Sequence, residues 1–320
     1  MSAGSARPVA VILGSEGQDG YFLTRLLDEK GFDVAGIGRN RMQFRGCSRA
    51  GINICDARMM SDLLAEFRPA HVYHLAAHHF SSETSPTDTG ALIRKSIDIN
   101  TISLANVLEA IRVHSPLSRL FYASSSRVFG DPPHSPQNEF TPIAPKCPYG
   151  ISKAAAMALC KYYRERFGVF ASAGILYNHE SLKRSSSFLL PRLIRESVAL
   201  SRGERDIIEV GNLSSVSDWG AAPDFADAFY RILLLPEPDD FVVATGEGHS
   251  VRDLLTEIFR VLGRSGISGV QENKARIFVS PSDLHLIGDP SYLASRTGWS
   301  PSHAFSEFIS LLVEEELKIV

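Results

Sequence analysis

Cysteine is scarce in this chain: Cys47, Cys55, Cys147 and Cys160 are all that 320 residues hold, with no close pair of the metal-binding kind. A disulfide framework and a cysteine-bound metal knuckle are thereby excluded as organising devices, and free thiols in a reducing compartment are expected. A long apolar run at the start is also lacking. The stretch Val9–Leu13 is far too short for a signal-peptide core or a membrane span, so no membrane partner and a cytoplasmic location are expected. There is no basic excess: the net charge of −3 lends nucleic-acid binding no support, although an anionic small ligand needs only a local basic pocket. Internal repeats, long linkers and low-complexity stretches are absent. What remains is an ordinary globular composition, 44% hydrophobic and 22% charged, with a length that suits one large domain or two closely joined ones.

Through the first half, short β-branched runs alternate with amphipathic segments. Strands are expected at Val9–Leu13, Asp33–Ile37, His71–Ala76, Leu120–Ser124 and Ala171–Tyr177. Helices are expected at Tyr21–Lys30, Ser61–Phe67, Ile97–His114 and Pro148–Phe167. This alternation predicts an α/β fold of Rossmann type, a doubly wound parallel sheet spanning residues 1–177. After Asn178 the alternation gives way to helices such as Phe188–Ser201 and Val251–Leu262 among stretches rich in Pro, Gly and Ser. Residues 178–320 are therefore expected to form a smaller, mixed α/β substrate-binding part, with some segments returning to the first domain.

Gly14-Ser15-Glu16-Gly17-Gln18-Asp19-Gly20 directly follows the first strand and opens the first helix. Glycines at this spacing permit a tight turn and a close approach of pyrophosphate to the backbone, and the helix N-terminus offers free N–H groups. Gly14, Gly17, Gln18, Asp19 and Gly20 are thus candidate cofactor residues. After the second strand, where an acid would normally hold the adenosine ribose, the chain has Gly38-Arg39-Asn40-Arg41. An Arg there suits a 2′-phosphate and points to NADP(H), with NAD(H) the alternative; Arg39 and Arg41 as plain solvated cations is the simpler reading. Asp56 is placed either at the adenine or as a helix cap.

Tyr149 and Lys153 stand four apart on one helical face, and Ser124, Ser125 and Ser126 end the preceding strand at the carboxyl edge of the sheet. A phenol with its usual pKa near 10 is a poor base at neutral pH. An ammonium about 4 Å away favours the phenolate by roughly 4 kcal/mol, or about 3 pK units, at a protein-like dielectric. Ser125, Tyr149 and Lys153 are therefore the candidate catalytic set: the phenol to move a proton, the serine to fix the substrate oxygen, and the lysine also to hold the nicotinamide ribose.

With these motifs in this order the chain resembles the extended short-chain dehydrogenase/reductases. Within them it is most similar to the GDP-mannose 4,6-dehydratases, from about Val9 to about Phe305. The resemblance is carried by Gly17 to Gly20, by Tyr73-His74-Leu75-Ala76-Ala77 and by Cys147 to Gly150. Gly174 to Ser181, Gly211-Asn212-Leu213 with Ser217 to Gly220, and Phe241 to Arg252 carry it more specifically. It implies a GDP-sugar bound by the C-terminal half and oxidised at C4 with NADP. Leu75, Ala76, Ala77 and His179 then fall at the cofactor, and Ser126, Arg127, Asn178, Lys183, Arg184 and Arg192 at the substrate. Asn100 matches a structural Asn of the wider superfamily. The family pairs subunits through two helices, here Ile97–His114 and Pro148–Phe167, so a homodimer or homotetramer is expected.

The chain departs from the dehydratases at several points. Arg127 stands where they carry the Glu that removes the C5 proton, a role worth about 10²–10⁴-fold that a guanidinium cannot fill. Ser217 and Ser280 replace two diphosphate-binding arginines, each worth roughly 1.5–3 kcal/mol per charged hydrogen bond. The segment between His79 and Ile97 is about five residues longer than the family pattern, and in it Glu83 and Asp88 are candidates for the missing acid, against the plainer reading of a solvated loop. Dehydration is therefore set beside NADPH-dependent reduction of a 4-keto sugar, 4-epimerisation, and an NADP-binding protein of reduced activity.

Overall fold

The computed structural model describes residues 7–78, 88–276 and 285–319. From β1 (Val9–Leu13) the chain turns through the glycine loop into α1 (Gln18–Glu29) and returns as β2 (Asp33–Ile37). A tight hairpin follows, β3 (Arg41–Phe44) and β4 (Cys47–Ala50), turning at Arg45 and Gly46. Then come α2 (Ala57–Phe67), β5 (His71–His74), α3 (Thr89–Ile97), a π-helical turn at Asp98–Ile102, α4 (Ser103–His114), β6 (Arg119–Ala123), α5 (Pro148–Phe167) and β7 (Phe170–Leu176). Pro148 opens α5 where a missing N–H does no harm, and Gly168, at φ 67°, closes it in the left-handed conformation.

The remaining elements are β8 (Asn178–Glu180), α6 (Leu189–Ser201), β9 (Ile208–Val210), β10 (Val216–Ala221), α7 (Ala222–Ile232), β11 (Asp240–Val243), β12 (Gly248–Ser250), α8 (Val251–Val261), β13 (Val270–Glu272), α9 (Ser291–Thr297) and α10 (Phe305–Ile319).

The main sheet runs β11-β7-β6-β5-β1-β2-β3-β4. Its strands are parallel from β11 to β2, and the hairpin adds an antiparallel edge that the sequence pattern did not announce. The strands β1, β5, β6 and β7 are buried almost throughout, because helices cover both faces. Leu23, Leu27, Phe225 and Phe229 of α1 and α7 pack on Ala10 and Ile12; Leu104, Val107, Met157 and Cys160 of α4 and α5 pack on Val11 and Leu13. A separate cluster of Leu190, Leu193, Trp219, Leu254, Phe259 and Leu312 forms the core of the C-terminal part.

The doubly wound topology expected from the sequence is present. The chain leaves β1 for β2 on one side and later reaches β5 on the other, so a crevice opens above the carboxyl ends of β1 and β5. The helix expected over Ile97–His114 is divided: α3 reaches Ile97, and the π turn separates it from α4. The strand expected to reach Ala76 stops at His74. Beyond Asn178, β11 pairs with β7 and α7 covers the sheet, so this segment completes the first layer. No helix among the described residues is long and apolar enough to cross a membrane.

Candidate active site

The glycine loop closes tightly under the carboxyl end of β1. The amides of Gly14 and Ser15 donate to the Ile37 carbonyl at 2.8 and 3.2 Å, and that of Gly17 to Gly14 O at 3.1 Å. Gly14 has φ 95°, and a Cβ on it would come within 2.7 Å of the Ala76 nitrogen. Leu75 and Ala76 thus run against the loop, with Ala77 next in the chain, and Leu75 N donates to Leu13 O at 2.9 Å. Gly17, the residue before α1, offers no side chain to the first-turn amides of Gln18, Asp19 and Gly20, which leaves them for an anion.

A polar network ties this loop to the segment after β7. Gln18 Nε2 donates to the His179 carbonyl at 2.9 Å, and Ser181 Oγ donates to Gln18 Oε1 at 2.8 Å. His179 Nε2 lies 3.0 Å from Asp19 Oδ1 and Nδ1 lies 2.8 Å from the Tyr177 carbonyl, so both ring nitrogens face acceptors, as an imidazolium requires. Burial alone would lower the His179 pKa, but Asp19 raises it above the usual value; burial alone would raise the Asp19 carboxyl, but His179, Gln18 and Arg184 hold it below. Arg184 donates to Glu180 Oε1 at 2.6 Å and lies over the Phe188 ring at 3.9 Å. The sequence reading gave Glu180 and Ser181 no role, although a polar run directly after an apolar strand is the signal for such a junction.

The second half of the site stands at the end of β6. Ser125 caps a short 3-10 turn, Ser126–Val128, its Oγ accepting from the Arg127 amide at 3.3 Å. Tyr149 sits in the first turn of α5, half-buried, and its phenol is hydrogen-bonded to Ser125. Lys153, one turn on and 1% exposed, donates from Nζ to the Ala123 carbonyl at 2.6 Å and lies over the Tyr122 and Tyr149 rings at 4.6 and 5.6 Å. Ser125, Tyr149 and Lys153 are thus brought together at the carboxyl edge of the sheet.

The electrostatics differ from the simple expectation. Burial pushes the Tyr149 phenol up; what opposes it is the Arg184 guanidinium first, then the Ser125 hydroxyl. Lys153 is itself pushed down to about 7 by the same burial, with Asp19 opposing. His74, behind it, is pushed down to about 3 by burial and by Lys153, so it stays neutral.

Asn100, in the π turn, accepts from His78 N at 2.8 Å and donates to Ser152 Oγ at 2.9 Å. A buried amide here fixes α5 against the loop after β5, and π turns recur at functional sites. The other candidates fall as follows. Ser126 is buried and Arg127 half-buried beside Ser125; among the described residues the Arg127 guanidinium meets no carboxylate. Asn178 is exposed on β8, paired with Trp219 of β10. Lys183 lies over the Tyr21 ring at 5.0 Å. Arg192 is held by Glu196 at 2.9 Å and the Glu209 carbonyl at 3.1 Å, within the C-terminal part. Arg39 is exposed, its amide donating to Glu16 at 3.2 Å. Asp56 caps α2 through the amides of Arg58 and Met59, and Asp88 caps α3 through that of Ala91, so each carboxylate serves a helix. Ser217 pairs with His249 in the sheet of the C-terminal part. Glu83 and Ser280 lie outside the described residues.

Comparison with known proteins places this geometry. The family model described as GDP-mannose 4,6 dehydratase matches residues 11–312. GDP-mannose 4,6 dehydratase 1 of Arabidopsis thaliana is 32% identical over 98% of this chain and 91% of its own. Among solved structures, RMD from Pseudomonas aeruginosa complexed with NADPH superposes with a TM-score of 0.81 at 20% identity, covering 98% of this chain and all of that one, 100%. The UDP-glucose 4-epimerase of Thermus thermophilus in complex with NAD gives 0.81 at 24% identity, over 98% and 100% of the two chains. These two show the fold.

Proposed function

The chain belongs to the GDP-mannose 4,6-dehydratase family, and we propose that it is an NAD(P)-dependent enzyme moving a hydride at C4 of the hexose in a GDP-sugar or related nucleotide sugar. One observation carries this reading: Ser125, Tyr149 and Lys153 converge at the end of β6 while a glycine loop with open helix amides closes the end of β1 in the same crevice. The residues fit a dinucleotide. Gly14, Gly17 and the amides of Gln18, Asp19 and Gly20 would hold the pyrophosphate, and Leu75 to Ala77 the wall beside it. His179 and Asp19 brace the loop from the far side. Arg39 and Arg41 lie at the edge where a 2′-phosphate of NADP would sit.

Bound there, a nicotinamide dinucleotide supplies the hydride acceptor or donor. The chain's own groups do the rest. As the phenolate, Tyr149 takes the proton from the sugar O4 hydroxyl on oxidation, and as the phenol it returns that proton on reduction. Ser125 donates to the same oxygen and fixes its direction. Lys153, with one N–H on Ala123, has two more for a ribose hydroxyl, and its charge favours the phenolate once bound ligand completes the site. Arg184 adds a second positive field at Tyr149. Asn178, Lys183 and Arg192, with Ser126 and Arg127, are assigned to the nucleotide-sugar side.

Arg127 favours a second, narrower reading within the same chemistry. No described carboxylate stands two residues after Ser125, so reduction of a 4-keto sugar or 4-epimerisation, which need only Ser125, Tyr149 and Lys153, fits the site better than elimination across C5 and C6. Tyr149→Phe tests the common core: hydride transfer should fall about 10²–10⁴-fold with the circular dichroism spectrum unchanged, and undiminished transfer would remove the phenol from the mechanism.

The reading extends to self-association. Ile102, Ile151, Tyr162 and Phe167 are exposed apolar side chains on the π turn and α5, the elements assigned to a homodimer or homotetramer contact. Light scattering after gel filtration should give a multiple of the chain mass, and a monomer would count against it.

A further inference from the structure

Gly38, the first residue after β2, stands where dinucleotide sites usually carry the acid that grips the adenosine ribose. The space its side chain would fill is not empty. A Cβ built on Gly38 would lie 2.3 Å from Glu16 Cδ and 2.5 Å from Glu16 Oε2. Glu16 comes from the phosphate loop, between Ser15 and Gly17, and lays its carboxylate across the glycine. Two bonds hold it there: the Arg39 amide donates to Oε2 at 3.2 Å, and Arg41 Nε donates to Oε1 at 2.8 Å. The Gly38 amide donates to Arg41 O at 2.8 Å and closes the turn that presents both arginines.

We propose that Glu16 determines the choice between NAD(H) and NADP(H), by supplying from the phosphate loop the carboxylate that position 38 lacks. This rests on the reading of the loop as a dinucleotide site. Placed over Gly38, the carboxylate accepts from the ribose 2′- and 3′-hydroxyls. It also opposes a 2′-phosphate in two ways, by like charge and by occupying the Arg41 guanidinium that such a phosphate would use. Glu16 and Arg41 are 42% and 57% exposed, so their pair is weakly held and a 2′-phosphate can displace it. NADP(H) therefore binds by taking Arg41 from Glu16, whereas NAD(H) leaves the pair intact.

Calorimetric titration of the full chain with NAD+ and with NADP+ tests this without any turnover. In Glu16→Gln, the affinity for NADP+ relative to NAD+ should rise about tenfold, the effect of roughly one pK unit of charge interaction. Gly38→Ala should move the ratio the same way, because its Cβ evicts the carboxylate. Arg41→Ala in the Glu16→Gln background should abolish the gain. If wild type binds both dinucleotides and Glu16→Gln leaves their ratio unchanged, the assignment of Glu16 is overturned while the dinucleotide site stands. If wild type binds neither, the site itself is wrong and the assignment falls with it.

Discussion

Lys153 Nζ donates to the main-chain oxygen of Ala123, the last residue of β6, at 2.6 Å. The bond ties the first turns of α5 to the strand that delivers Ser125, so the relative position of phenol and hydroxyl is set by a buried amino group on a fixed carbonyl.

That burial has a pH signature. The Lys153 pKa is pushed down to about 7 from 10.5, so between those values the unfolded chain carries a proton there that the folded chain has released. Stability contributed at this position therefore rises with pH across that window and is least below pH 7. In urea unfolding followed by circular dichroism, wild type should gain on Lys153→Met by roughly 1.4 kcal/mol per pH unit between pH 8 and 9.5. A difference independent of pH would mean that the ammonium is solvated.

The Asp19–His179 pair has the opposite dependence at its alkaline end. His179 has its pKa raised above 6.5, so its contribution is full below that value and is lost as pH rises through the folded one. Asp19, lowered below 3.8, contributes fully above 3.8. Asp19→Asn should thus cost most between these limits and less at alkaline pH. Thermal melts at pH 5.5 and pH 9 should show a drop, roughly 1.5 °C per kcal/mol for a chain of 320 residues, that shrinks at the higher pH. A drop that grows with pH would contradict the charged pair.

On the proposed reading, Arg127 decides the product. With GDP-mannose and an oxidised dinucleotide, mass spectrometry of the nucleotide sugar should find no loss of water, because no described acid replaces the dehydratase Glu. With a GDP-4-keto-6-deoxy sugar and reduced dinucleotide, the sugar should gain two hydrogens. Clean loss of water from GDP-mannose would show that another acid has taken the role, and substitution of Glu83 would be the next step.

Much of this was legible in the chain itself. Val9–Leu13, Asp33–Ile37 and Pro148–Phe167 were readable to the residue, because apolar runs there are punctuated by Gly14, Gly31, Pro148 and Gly168. The hairpin Arg41–Ala50 was not, since β4 is exposed along its length and has no apolar alternation. The break before Ser103 was hidden because apolar periodicity runs straight through the π turn. Asp56 was ambiguous between adenine and cap, and only the amides of Arg58 and Met59 separate the two. Ser125, Tyr149 and Lys153 were legible as a set, but the field on Tyr149 was not, as it comes from Arg184, a residue brought close only by the turn after β8. Glu16 was overlooked for the same reason: its meaning depends on Gly38, across the loop.

Isotope transfer tests the hydride chemistry most directly. GDP-[4-²H]mannose with NAD+ or NADP+, and separately a GDP-4-keto-6-deoxy sugar with dinucleotide deuterated at the nicotinamide C4, would be quenched and both components weighed. Deuterium should cross between sugar C4 and the nicotinamide in at least one of these pairs, and the crossing should fall about 10²–10⁴-fold in Tyr149→Phe. Deuterium that stays where it was placed in every pair, with the dinucleotide bound, would contradict hydride transfer at C4.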